Sequence, residues 1–206
     1  MKKIMFNDRY GLTKAVLDGR KTMTRRIITV QPANDDMMAH ICYNEDKYIG
    51  WQFITAPPIG KVAKSEIFKP HYNVGEIVAV AQAYKYCSGI DTDGISFWDK
   101  ISELVGSSCF GWDNKMAVKA ELMPHQIRIT GIRCERLQDI TGCDAEREGI
   151  CAVWDEGFVK GWTNKSDGKI YDDKIEAFAA LIDKVSGPGT WNSNPYVWVY
   201  EFELLN

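Results

Sequence analysis

Tyr196-Val-Trp-Val-Tyr-Glu-Phe-Glu-Leu204 places an aromatic ring at every second position: Tyr196, Trp198, Tyr200 and Phe202. Side chains of a β-strand alternate between faces, so the four rings share one side of a strand. Glu201 and Glu203 fall on the opposite side and predict solvent there. Gln126-Ile-Arg-Ile-Thr130 alternates in the same way. Beyond Gly131 the pattern resumes as Ile-Arg-Cys-Glu-Arg-Leu137, which predicts a strand bent at the glycine. Ile77-Val-Ala-Val80, delivered by the turn-like Lys69–Glu76, reads as a buried strand. His40–Tyr43 and Tyr48–Ile54 flank a polar turn and predict a hairpin. His40 and Cys42 would share a face of its first strand, where packing or a solvated edge explains them.

Helices are fewer and shorter. Leu12, Ala15 and Val16 are spaced for a helix within 9–18, stopped by Gly19. Thr141 fits an N-cap, with Ile140 and Ala145 placed as a hydrophobic staple and Gly149 as the stop. Glu148 then lies at the end of that helix, on the same face as Asp144. Ile175, Phe178, Ala179 and Ile182 predict a longer helix from about Asp172 to Val185, ended by Gly187-Pro-Gly189. Strands interrupted by short helices, without strict alternation, indicate an α+β fold. No Gly-rich phosphate loop and no nucleophile elbow is present.

The chain has 206 residues, a size that suits a single domain. Its 25 basic and 28 acidic residues leave a net charge of −3, which excludes a global basic field for gripping nucleic acid. Any polyanion contact must be local. The sharpest cluster is Arg20-Lys-Thr-Met-Thr-Arg-Arg26, whose Thr-Met-Thr centre suits an extended segment continuing to Val30. No apolar run approaches a membrane span, and the first residues turn polar at Asn7, so a cytoplasmic protein without a membrane partner is expected. The six cysteines and three histidines show no zinc-ligand spacing; reduced cysteines and no metal or other cofactor are expected. Aromatic residues make up 12% of the chain, core fillers first and base-stacking platforms only where exposed. Trp98 and Trp112 are the candidates for stacking.

Four segments in order carry a resemblance. These are Gly19-Arg-Lys-Thr-Met-Thr-Arg-Arg26; Lys69-Pro-x-Tyr72-x-Val-Gly-Glu76; Arg133-x-Glu-Arg-Leu-Gln-Asp-Ile140 with Ala145-x-x-Glu-Gly-Ile150; and Trp191-x-x-Asn-Pro-x-Val-Trp-Val-Tyr200. Together they resemble the larger, phage-associated members of the ASCH domain family. The resemblance implies a PUA-like fold, a small β-barrel with flanking short helices, spanning 1–206 with insertions at about 34–60 and 86–120. It also implies RNA or a modified nucleoside as partner. At motif level it extends to the small bacterial amidohydrolases that remove the acetyl group of N(4)-acetylcytidine. Their Lys, Thr and Glu fall on Lys21, Thr24 and Glu148, with Arg20, Arg25 and Arg26 left to contact RNA or substrate. Two departures stand out: Ala81-Gln82 where relatives carry a basic residue and Glu, and Asn192 where relatives often have Asp.

The chemistry can be weighed without the resemblance. A threonine hydroxyl needs a base within hydrogen-bond reach, and a lysine can serve. Lys21 and Thr24 are three residues apart, so in a regular strand they would face opposite ways; sharing a site requires a bend between them. Lys21 would be pushed toward its neutral form by burial and by the neighbouring arginines, and back by Glu148. Which of Lys21 and Glu148 acts as base stays open at this stage. The alternative is a non-catalytic RNA-binding or protein-interaction domain in which the three residues are structural. A nuclease is a weaker third reading, because no carboxylate pair with metal spacing is visible.

Overall fold

The aromatic strand is the one around which the main sheet assembles. β9 (Tyr196–Leu205) pairs antiparallel with β6 (Gln126–Arg136) on one side and with β2 (Met23–Ile27) on the other. Outward from β6 come β5 (Ile77–Val80) and then β1 (Lys2–Ile4), giving the order β1-β5-β6-β9-β2. All pairings are antiparallel except β1 with β5. The structure is a computed structural model that describes residues 1–45, 47–55, 64–87, 99, 101–102 and 110–205.

Burial along β9 shows how the sheet is covered. On one face Phe53 packs on Tyr196 and Trp51 on Trp198, with ring centroids 4.7 and 5.6 Å apart. Both come from β4 (Lys47–Thr55), which pairs with β3 (Met37–Asn44). The expected hairpin within 34–60 is therefore the cover of the aromatic face. The opposite face is not simply solvent: Val197 and Val199 are fully buried in the same core as Phe178 and Leu181. Those two belong to α3 (Lys174–Ser186), capped by the Asp173 carboxylate, which accepts from the Ile175 and Glu176 N–H groups. Glu201 is ion-paired on this face, and Glu203 is the more exposed of the two glutamates.

Gly131 bends β6 as expected, through a register shift against β9 between Ile129 and Gly131. Thr141 caps α2 (Gly142–Arg147) by accepting from the Asp144 N–H, and Ile140 and Ala145 are both buried. α1 (Leu12–Leu17) is shorter than 9–18. The sequence carried no expectation for β1, for the hairpin of β7 (Cys151–Asp155) with β8 (Phe158–Thr163), or for the single turn α4 (Thr190–Ser193). Part of 86–120 is core: Cys87, Ile101, Val118 and Ala120 form a second cluster with Ala79, Ala81 and Tyr84. Phe97 and Trp98 lie outside the described residues.

The architecture is thus α+β, with most regular structure in strands. Among the described residues no strand pairing joins β1 to β2, so the five-stranded sheet has two free edges. The edges nevertheless approach, since the Arg26 guanidinium of β2 donates to the Met5 carbonyl just beyond β1. Among the described residues no helix is long and apolar enough to cross a membrane.

Candidate active site

The seam between the two sheet edges holds two cavities, and Arg26 with Met5 lines both. The first, of about 660 Å³, runs between β1 and β2 past Lys69, His71, Tyr72 and Trp198. The second, of about 500 Å³, contains Lys21, Thr24, Arg25 and Glu148, and is walled by Phe6 and by Phe178 of α3. Lys21, Thr24 and Glu148 therefore share one cavity, although Glu148 lies 127 residues from Lys21.

The bend that the sequence demanded lies just before β2. The Lys21 N–H donates to the Ala15 carbonyl at the end of α1, and the Thr22 N–H to the Arg147 carbonyl at the end of α2, both at 2.9 Å. These bonds hold Arg20 and Lys21 out of the strand ladder, which begins where the Thr22 carbonyl accepts from the Phe202 N–H of β9, so Lys21 and Thr24 can both turn inward, 2% and 5% exposed. Gly149, at φ 108°, supplies the turn that ends α2, a conformation that most residues with a Cβ avoid. Lys21 Nζ then donates to the Glu148 carbonyl at 2.9 Å and meets its carboxylate Oε2 at 2.5 Å. The Thr24 hydroxyl makes no hydrogen bond to the described residues and lines the cavity.

Glu148 has a second cationic partner. Its Oε1 accepts from Arg25, whose side chain has no exposed surface and also reaches Glu135 at 2.7 Å and Asp144 at 3.1 Å. Arg133 binds Glu135 and Asp144 from outside, each at 2.7 Å, and pairs with Glu201, which Arg147 also contacts at 3.0 Å. Lys21, Arg25, Arg133 and Arg147 thus face Glu135, Asp144, Glu148 and Glu201, four charges of each sign. Arg25 serves this network from inside the molecule and presents no surface to an RNA strand. Its Nε–H is buried without a partner.

The other arginines differ. Arg20 pairs with Asp18 at 3.1 Å and donates to the Cys151 sulfur, outside the residues that line the two cavities. Arg26 lies between the cavities and over the Phe6 ring. Burial pushes its pKa down, opposed by Tyr72, Glu148 and Tyr200. Lys21 is also pushed down, first by burial and then by Arg26 and Arg25, against the opposing pull of Glu148. Burial pushes Tyr72 up to about 12, so it stays a hydroxyl and donates to the Lys3 carbonyl.

The two sequence departures fall away from this pair of cavities. Asn192 is exposed on α4, and Gln82 lines a separate cavity. Trp112 sits at the surface and lines neither of the two. Sequence reasoning missed Glu135, Arg133, Asp144 and Arg147 as parts of the site. A signal was present: Arg133 and Glu135 sit at alternate positions on one face of β6, and Asp144 and Glu148 are four apart along α2 and its cap. Among the described residues no group of three His, Cys, Asp or Glu side chains is placed to hold a metal ion. Comparison with models of known protein families, with curated protein sequences and with solved structures finds no match.

Proposed function

We propose that the chain is an ASCH-type module that recognises RNA or a modified nucleoside and hydrolyses an amide such as the acetyl group of N(4)-acetylcytidine. The observation that carries this reading is the convergence of Lys21, Thr24 and Glu148 on one cavity of about 500 Å³, roomy enough for a nucleoside. The five-stranded sheet is then the core of a PUA-like barrel left open at the β1–β2 seam, with the substrate seated in the opening. Support for that geometry is the Arg26–Met5 hydrogen bond across the seam.

The catalytic reading follows from the buried ion pair. Burial pushes Lys21 toward the neutral amine that a base must be, and the Glu148 carboxylate at 2.5 Å is the group in reach to exchange a proton with it. The amine of Lys21 takes the Thr24 hydroxyl proton as the Thr24 oxygen bonds to the acyl carbon. The bond from acyl carbon to the cytosine amine breaks, and Glu148 returns its proton to that leaving nitrogen. Water then cleaves the acyl-threonine ester, releasing acetate and restoring the hydroxyl. Arg26 polarises the acyl oxygen or holds the base edge. Lys69 and His71 line the neighbouring cavity, and in this reading they meet the ribose or phosphate.

Purified protein incubated with N(4)-acetylcytidine should release acetate and cytidine. Thr24→Ala should lower kcat by a factor of about 100 or more, within the range of lost nucleophiles and general bases. Equal turnover by wild type and Thr24→Ala would refute the assignment. The second reading, a non-catalytic binding domain, draws on one observation: Lys21 and Arg25 are both committed to internal carboxylates. Salt-sensitive RNA binding without turnover would select it.

A further inference from the structure

A third cavity, of about 650 Å³, lies on the far side of the Asp8–Lys115 ion pair from the Lys21 pocket, between α1 and the segment that follows β5. Gln82 lines it. The side chain is only 8% exposed, and its Oε1 is buried without a hydrogen-bond partner. Its amide nitrogen has no partner among the described residues either. A buried unpaired acceptor costs on the order of 1–3 kcal/mol, so a group of this kind calls for a partner to account for it.

The surroundings define what would satisfy it. The cavity carries three lysines and three aspartates, already matched as Lys14–Asp18, Lys85–Asp113 and Lys115–Asp8. The pairs leave the lining with no net charge to draw in a phosphate or carboxylate, which argues for a neutral ligand. A glutamine amide presents a donor and an acceptor side by side, the complement of a nucleobase edge. Tyr86, 65% exposed on the same lining, offers a ring face for stacking, and Lys85 lies over that ring.

We propose that the Gln82 cavity is a second binding site, for a neutral nucleobase held by the Gln82 amide and stacked on Tyr86. It does not depend on hydrolysis in the Lys21 pocket. Isothermal titration with cytidine, adenosine, guanosine and uridine tests it, comparing wild type with Gln82→Met, which keeps the volume and removes the amide. Gln82→Met should melt at the wild-type temperature or above, because an unpaired polar group has been replaced by an apolar one. It should lose one binding equivalent or bind at that site about tenfold more weakly. Tyr86→Ala should weaken the same equivalent. In ¹⁵N spectra the side-chain amide signal absent from Gln82→Met should shift when nucleoside is added to wild type. Two equivalents in wild type and one in Gln82→Met support both this site and nucleoside recognition in the Lys21 pocket. One equivalent falling to none supports this site alone. No binding to wild type, or binding unchanged in Gln82→Met, overturns it.

Discussion

Burial pushes the Lys21 pKa down and Glu148 pulls it back up, and both effects fall on one side chain. Removing Glu148's charge tips that balance. In Glu148→Gln the folded Lys21 pKa drops further below its ordinary value of 10.5, while the unfolded value does not change. Between the two values the unfolded chain binds more protons than the folded one, so stability rises with pH across that window. The slope should be steeper in Glu148→Gln than in wild type, read as urea midpoints from pH 6 to 9; equal slopes would show that Lys21 is not titrating there. Arg25 gives a larger effect at the same scale. Its guanidinium serves three carboxylates with no solvent access. Arg25→Met leaves those carboxylates to Lys21 and Arg133 and should cost about 3–5 kcal/mol in urea unfolding. Arg25→Lys should recover little of this, because one ammonium cannot reproduce a planar fork shared by three acids.

At the scale of elements, the link from β8 to α3 is tied by polar side chains that no periodicity announces. Asn164 is buried, donates to the Ala177 carbonyl and accepts from Ser166. Asp167 accepts from Tyr171 at 2.6 Å, Lys184 at 2.7 Å and the Lys169 N–H at 3.0 Å. Burial works to raise the Asp167 pKa, and these three partners outweigh it, holding the carboxylate well below its usual 3.8. A depressed acid contributes stability above its unfolded pKa and loses it as pH falls through the folded value. Acid melts below about pH 4 should therefore flatten in Asp167→Asn, and a wild-type-like acid limb in that variant would contradict the role. The same contrast explains what could be read in advance. α3 announces itself by apolar spacing at 3.6 residues, and β6 and β9 by alternation. The β7–β8 hairpin turns at Glu156-Gly157, both with positive φ, where glutamate is an unusual occupant. Most of its side chains are exposed, so alternation carries little signal. β1 is three residues long and depends on a parallel partner more than seventy positions away.

For the whole molecule, the site is a product of chain topology. Arg20–Arg26 is visible in sequence as a positive cluster, yet its Lys21 and Arg25 are set by carboxylates on β6 and on α2 and its cap, brought beside them only when the sheet forms. Motif resemblance joined Lys21 to Glu148; no local rule could have done so across 127 positions. Long-range burial also sets the alkaline behaviour. Burial pushes Cys87 up to about 11 and, with Glu135 adding to it, Cys134 up to about 12, from an ordinary thiol value of 9.0. Tyr72 rises from 10.0 to about 12 through burial and its neighbours Tyr200 and Glu76. Each folded pKa lies above the unfolded one. The stability these groups contribute is complete below the unfolded pKa and is lost as pH rises toward the folded value. Lys21 acts in the opposite sense up to 10.5, so the thiols and Tyr72 must outweigh it for stability to fall. Urea midpoints should drop between about pH 9 and 11 in wild type. The double variant Cys87→Ala/Cys134→Ala should start lower, because one buried and one half-buried side chain are truncated, but should hold a flatter profile until Tyr72 begins to titrate in the unfolded chain near pH 10. A profile that declines in parallel with wild type from pH 9 would show that the buried thiols do not govern the alkaline limb.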